Sequence, residues 1–411
     1  MPAPLFPAPL VLSSGIRARD AWPLDPDVIH LNHGSFGAVP TSVVEQQDAL
    51  RRRADLSPVE WFPRIAERVG AARERTAPFV GARPEDSVFV PNASAAATVV
   101  YNALRLEGGD EILVTDQGYG AITIGAQRLA RRFGASVRAV ELPLLASDDE
   151  VVQRFADAIT SRTRLIVVDQ ITSPTARLLP TRRIAELAAD RGIRTLVDGA
   201  HAPGLVADAA AVAGGDWWFG NLHKWPCAPR GSALLVTQAP DREELWPLID
   251  SWAATEPYPE RFDTQGTIDA TTYLTTPAAI DFIESEFGWA NARVAMTQMA
   301  DAGAEIIAEG FRPYADVDPL TPLPAPVPSM RLVRLPLGLG STREEADALR
   351  MDLLDETGVE TAFTSFRGIG YFRLSAHLYT EASDFEAFVE RCIPQILRRA
   401  GIRTADPLIV S

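Results

Sequence analysis

Between about residues 87 and 237 short β-branched runs alternate with helical stretches, and this alternation constrains the fold more than any other feature of the chain. It predicts strands at 87–91, 111–115, 136–142, 164–169, 194–197, 216–219 and 232–237, with helices at 94–106, 121–133, 149–159 and 181–190 between them. Strands joined through helices run parallel, in a sheet covered on both faces. The expected class is therefore α/β, with a mostly parallel central sheet in a large domain. Sheets of this kind bind ligands at the carboxyl ends of their strands.

Outside this block the pattern changes. Ser42-Val-Val-Glu45 reads as a capping box opening a helix that runs to about Asp55. A Pro-rich linker at 319–328 precedes segments at 330–336, 342–357, 370–375 and 383–399 that predict a small α+β C-terminal domain. The expected boundaries are 1–40 for an N-terminal arm, 41–285 for the large domain and 286–411 for the small one. Met1 to Leu12 is apolar but broken by Pro2, Pro4, Pro7 and Pro9, with no basic flank. It reads as an arm lying on the surface or reaching a partner subunit, not as a signal peptide. No stretch approaches the ~18 apolar residues of a membrane helix, so no membrane segment is expected.

Composition narrows the function. Thirty-nine basic residues against 54 acidic give a net charge of −15, the wrong sign for a protein that lives on phosphate contacts with nucleic acid. The two cysteines, Cys227 and Cys392, cannot form the framework of a secreted disulfide-rich protein, and a reducing cytoplasm is the simplest location. All the basic residues but one are arginine; the single lysine is Lys224. Arginine replaces lysine readily as a surface charge, but it cannot lose its proton and attack a carbonyl.

The usual nucleotide signatures are absent: the chain has no G-x-x-x-x-G-K-[ST], and no G-x-G-x-x-G follows the first strand. It also lacks H-E-x-x-H and any cysteine pair, so no metal site is expected. What stands out is a set around the lone lysine. Asp198-Gly-Ala-His201 follows one predicted strand and Asn221-Leu-His223-Lys224-Trp225 follows another. Two neighbouring strand ends would present Asp, His, His and Lys to one cleft. A lysine there can form a Schiff base, and a carboxylate can keep a pyridine nitrogen protonated. The bland alternative is a helix-capping Asp198 and a solvated His223–Lys224 turn. Asn92-Ala93-Ser94-Ala95 follows a strand and opens a helix, which suits a phosphate at a helix N-terminus.

Leu31-Asn-His-Gly-Ser-Phe-Gly37, Asp198-Gly-Ala-His201-Ala-Pro-Gly204 and His223-Lys224-Trp225 together resemble the class V aminotransferase family. Its members are fold-type I enzymes that use pyridoxal 5'-phosphate (PLP), and they include the cysteine desulfurases. Within the family the chain is similar to the isopenicillin N epimerase-like branch, over about residues 29–386. The resemblance implies that Lys224 carries the cofactor and moves the substrate α-proton, that Asp198 pairs with the pyridine nitrogen, and that His201 lies near the phenolic oxygen. It implies that His223, the Ser94 hydroxyl and the Ala95 backbone N–H reach the phosphate, that Tyr119 stacks on the ring, and that Ser173 faces the cofactor. Tyr119 as a core residue and Arg373 as an ordinary strand arginine are the bland readings. Phe262-Asp-Thr-Gln-Gly266-Thr267 resembles the segment that crosses to a partner's phosphate, which implies a homodimer with a shared active site. Arg373 resembles the arginine that grips the substrate α-carboxylate, and Asn32, His33 and Gly34 would line the substrate entrance.

One departure bears on the reaction: 361–370 holds no cysteine, whereas a cysteine desulfurase needs a nucleophilic one on a small-domain loop. The expected function is a PLP-dependent epimerase or C–S/β-lyase acting on a small-molecule amino acid or amino-acid conjugate. An aminotransferase, or a non-catalytic binding module built on the PLP fold, are the alternatives. No obvious second base for a two-base epimerisation appears in the sequence.

Overall fold

A computed structural model describes residues 7–402, so Pro2 and Pro4 of the expected arm lie outside the described residues. The strands in chain order are β1 (Ile29–His30), β2 (Ser87–Val90), β3 (Glu111–Thr115), β4 (Ser136–Val140), β5 (Thr163–Asp169), β6 (Arg194–Asp198), β7 (Trp217–Asn221), β8 (Ala233–Thr237), β9 (Met330–Arg334), β10 (Val359–Glu360), β11 (Phe363–Phe366) and β12 (Ile369–Ser375). The described residues divide into two compact units: a larger one of Val39–Ser173 and Leu178–Phe282, and a smaller one of 7–38, Pro174–Arg177 and 283–402.

The larger unit is built on a seven-stranded sheet of order β2-β8-β7-β6-β5-β3-β4. Only β8 runs against its neighbours; every other pairing is parallel. β5, β6, β7 and β8 are buried almost throughout, as strands covered on both faces must be. Helix Ala93–Ala103 supplies Ala96, Ala97, Val99, Val100 and Tyr101 to the core, where they meet Leu235 and Phe219 of the sheet. β4 lies at the sheet edge and ends the chain's excursion to that side. The chain then crosses over β3 to form β5, so the order of strands reverses between β3 and β5. This is the topological switch point, where open α/β sheets leave a crevice at their carboxyl ends.

The smaller unit holds the antiparallel sheet β11-β12-β9 and a two-stranded parallel ribbon in which β1 pairs with β10. Its longest element, helix Trp289–Phe311, is missing from the sequence-based expectation. Its run of Ala, Met and Gly carries no strong periodic contrast, and it buries Met296, Ala300, Ala304, Ile307 and Phe311. Gly303 lets this helix meet the Phe385 ring, which a Cβ there would meet at 2.5 Å. The described part of the arm is tied to the same unit by Arg17–Glu381 at 2.6 Å and Arg19–Asp384 at 2.7 Å.

Two local expectations are corrected. The helix after Pro40 starts at Thr41, with Pro40 as N-cap and no side-chain cap, so Ser42 sits inside the first turn and forms no capping box. The expected helix at 383–399 is two helices, Ala382–Arg391 and Ile393–Arg399, joined at Cys392. Pro394 lacks the N–H that a continuous helix would use. Among the described residues no helix is long and apolar enough to cross a membrane.

Candidate active site

In the larger unit the chemistry gathers at the carboxyl ends of the sheet. β6 ends at Asp198, and the tight turn that follows, closed by Ala202 N–H donating to Gly199 O at 2.7 Å, carries His201. β7 ends at Asn221 and runs into a loop held at several points. Leu222 N–H donates to Ser232 O at 3.0 Å, Cys227 N–H to Lys224 O at 3.0 Å and Ala228 N–H to Leu222 O at 3.1 Å. These bonds fix Lys224, which is only 9% exposed, with its Nζ 2.9 Å from His201 Nε2.

The two strand ends are spaced by Trp218. Its indole passes both adjoining glycines so closely that a Cβ at Gly199 or at Gly220 would stand 2.3 Å from it. The indole N–H donates to Gln170 Oε1 at 2.8 Å, and Gln170 Nε2 donates to Ala209 O at 2.9 Å. Any side chain at either glycine would push apart the backbones that hold Asp198 and Asn221.

Asp198 is buried, and one of its oxygens, Oδ1, accepts the Ala200 N–H at 2.9 Å. The other, Oδ2, is buried with no hydrogen-bond partner among the described residues. Burial raises the Asp198 pKa to about 6, against the opposing pull of the Ala200 N–H and the Lys224 charge. A buried carboxylate oxygen left open costs free energy unless a donor arrives. His223 lies beside Lys224, with Nδ1 donating to Ser232 O at 3.0 Å. Burial and the Lys224 charge lower its pKa to about 4, so the ring is neutral. A phosphate dianion nearby would favour the protonated ring and give Nε2 a proton to donate.

The helix N-terminus at Asn92 differs from expectation in one respect. Asn92 Oδ1 accepts the Ala95 N–H at 2.9 Å, so that donor is already engaged in capping the helix. Ser94 is exposed at the same end, and the Ala93 N–H is held by Asn221 Oδ1 at 3.0 Å, which ties this helix to the end of β7. Tyr119 is 45% exposed, which rules out the core reading of its ring. Ser173 lies four residues past the end of β5 and is half-buried. Gly266 and Thr267 are exposed, but the root of their segment is fixed by a buried Arg73–Asp263 pair at 2.8 Å.

The four remaining candidates belong to the smaller unit. Arg373 lies on β12 and is buried, with one guanidinium nitrogen 3.4 Å from Ser35 Oγ. Ser35 donates to Asn32 Oδ1 at 2.6 Å, and Asn32 Nδ2 donates to Thr361 O at 2.8 Å. Asn32, His33 and Gly34 form the start of a one-turn helix, His33–Phe36 with Asn32 as its N-cap. The His33 ring stacks on His377 with centroids 3.9 Å apart, and its Nδ1 lies 3.0 Å from Tyr379 Oη. Sequence reasoning missed Asn221, Gln170, Trp218 and Ser35. Asn221 stands at the start of the lysine motif and Ser35 inside the Leu31–Gly37 motif, so both were within reach; nothing local marks the other two.

Both cysteines are buried, and neither is in a disulfide. Burial pushes the Cys392 thiol up to about 11, far from a nucleophilic thiolate at neutral pH.

A mostly parallel sheet with one lysine, one open buried carboxylate and an anion-ready histidine at its strand ends defines a fold-type I PLP enzyme. The unpartnered Asp198 Oδ2 fits the protonated nitrogen of a pyridine ring, and the Lys224 amine fits its aldehyde. The sequence pattern of the family described as Aminotransferase class-V matches residues 60–311, and the chain belongs to that family. It is 32% identical over 402 residues to the isopenicillin N epimerase of Amycolatopsis lactamdurans, covering 93% of this chain and 98% of the relative. It is 26% identical over 388 residues to the hercynylcysteine sulfoxide lyase of Schizosaccharomyces pombe, covering 90% and 95%. Among solved structures it resembles in fold the apo cysteine desulfurase of Thermococcus onnurineus, with a TM-score of 0.74, 20% identity, and 93% and 98% coverage.

Proposed function

We propose that this chain is an epimerase of an amino acid or amino-acid conjugate, working by proton removal and return at the α-carbon. The observation that carries the α-proton chemistry is the Lys224 Nζ held 2.9 Å from His201 Nε2, beside the open oxygen of Asp198. Bound PLP supplies an electron sink that makes the α-proton acidic. The Lys224 amine takes that proton, and return of a solvent-derived proton to the opposite face of the α-carbon completes the inversion. His201, hydrogen-bonded to the amine, orients it and shares its charge. Asp198 Oδ2 would accept the ring N–H and keep it protonated. Ser94 and a protonated His223 would hold the phosphate, and Arg373 would grip the substrate carboxylate through charged N–H donors. Asn32, His33 and Gly34 line the substrate entrance. The epimerase relative, matched over nearly its whole length, supports this choice of reaction.

A second reading is a C–S β-lyase, favoured by the hercynylcysteine sulfoxide lyase relative. That reaction also begins with α-proton removal and needs no cysteine nucleophile. Persulfide chemistry is disfavoured, because 361–370 holds no cysteine and the Cys392 thiol is raised by burial. The reading includes a homodimer, in which the exposed Gly266–Thr267 segment meets a partner's phosphate, and a cytoplasmic location consistent with two buried cysteines outside any disulfide.

Proton NMR in D2O tests the choice, with a panel of amino acids, S-substituted cysteines and short peptides ending in a free α-amino acid. Deuterium at the α-carbon with scrambled stereochemistry and intact substrate is the expected result. Release of pyruvate and a thiol would replace the epimerase with the lyase. No exchange with any member of the panel would overturn both.

A further inference from the structure

A second carboxyl group stands beside Asp198. In the parallel pairing of β5 with β6, Asp169 is the register partner of Asp198. Paired positions on parallel neighbours project to the same face. Both residues end their strands and both are buried, at 4% and 3% exposure. Asp169 also reaches the other side of the switch point. Its Oδ1 accepts the backbone N–H of Tyr119, in the loop after β3, at 3.2 Å. Its Oδ2 lies under Gly118, where a Cβ would meet it at 3.5 Å. A single carboxyl thus spans the crevice between β3 and β5 and touches the turn that presents Tyr119.

Two buried carboxyls this close cannot both ionise cheaply, and the environment decides which keeps the charge. Asp198 has the Ala200 N–H and the Lys224 charge in its favour. Asp169 is raised well above the usual carboxylate range, first by burial and then by the Asp198 charge. The nearby Tyr101 phenol is raised by burial and donates to Ile122 O at 3.1 Å, so it adds no charge.

We propose that Asp169 is a positioning residue which, as an uncharged acid, holds the Tyr119 turn over the PLP ring and leaves Asp198 as the one anion of the pair. The proposal rests on the reading that Asp198 meets the pyridine nitrogen and Tyr119 the ring face.

The test uses the PLP-loaded protein and compares Asp169→Asn, Asp169→Ala, Tyr119→Ala and the Asp169→Ala/Tyr119→Ala double variant. The readouts are the PLP dissociation constant, the visible absorption band, and the 15N shift of ring-labelled PLP, with thermal unfolding as a folding control. Asparagine keeps the acceptor for the Tyr119 N–H and carries no charge. Asp169→Asn is therefore expected to hold PLP within about twofold of wild type, with an unchanged ring-nitrogen shift. Asp169→Ala is expected to weaken PLP about tenfold, the scale of one lost hydrogen bond. The double variant is expected to lose little more than either single one, because the two act through the same contact. An Asp169→Asn variant that loses ring-nitrogen protonation would overturn the uncharged role. Additive losses in the double variant would overturn the coupling to Tyr119. If Asp169→Ala does not fold, the nitrogen shift and PLP affinity of Asp169→Asn still decide the matter. A wild-type protein that takes up no PLP would instead overturn the assignment of the site itself, whatever the variants do.

Discussion

The two units assemble their candidate site residues in opposite ways. In the larger one, each group follows the end of a strand by at most a few residues: Asp198 closes β6, His201 comes three residues later, and Lys224 lies three past the end of β7. The parallel sheet does the gathering, because its crossovers bring every carboxyl end to one edge. In the smaller unit, Ser35 links Asn32 to Arg373 across 338 positions of sequence between Ser35 and Arg373. A sheet converts local motifs into a site; a network of single hydrogen bonds must be assembled by the whole unit's fold.

The contrast predicts separable failures. Lys224→Ala has the largest effect: loss of about a thousandfold or more in kcat, with loss of the visible absorption of bound cofactor and of its trapping by borohydride. An unchanged spectrum would break the assignment of the larger unit's site. Arg373→Ala removes charged hydrogen bonds to a carboxylate and is expected to lower kcat/KM by about 10–100-fold while leaving the cofactor spectrum as it was. A spectral change there would mean that the two sets of residues are not independent.

Asp198→Asn sharpens the comparison through pH. Because the folded-state pKa is raised to about 6, the cofactor-free protein binds more protons than the unfolded chain between about pH 4 and 6. Its stability therefore falls as pH rises through that window. The asparagine variant should escape this loss, and should unfold at a higher temperature than wild type at pH 7–8 but not at pH 4. With PLP bound the order should reverse, since wild type alone offers the anion that the ring nitrogen needs. The smallest effect expected is Thr342→Ala. It removes one partner of the capping box with Glu345 at the start of helix Arg343–Thr357, far in sequence from the lysine motif. A cost of about 1 kcal/mol and a few degrees in Tm, with unaltered kcat, is the expected result in a thermal melt.

What could be read in the sequence follows the same division. The strand ends were legible because Asp198, His201, His223 and Lys224 sit within a few residues of β runs, and because a chain with one lysine draws attention to it. The alternation that announced the parallel sheet depends on local periodicity alone. Trp218 and Gln170 were not legible, since an indole filling the space between two glycines is a three-dimensional fit with no local mark. Ser35 stood in the Leu31–Gly37 motif, but its contact with Arg373 spans the unit and left no mark there. The two misread helix signals had physical causes: Pro40 starts its helix one residue before Ser42, and Pro394 interrupts what the periodicity treats as continuous. The Ala95 N–H, expected at the phosphate, is engaged by Asn92, a local bond that the Asn-x-x-Ala spacing permits.

The burial of the only lysine has a use outside catalysis. A protease that cuts only after lysine has a single target bond in the whole chain, between Lys224 and Trp225. In the folded protein that bond lies in a loop stitched by backbone hydrogen bonds, with Trp225 fully buried. Cleavage then requires the loop to open, so the rate of appearance of two fragments counts openings of the active-site wall. The chain carries its own clock for local unfolding, placed where the chemistry is.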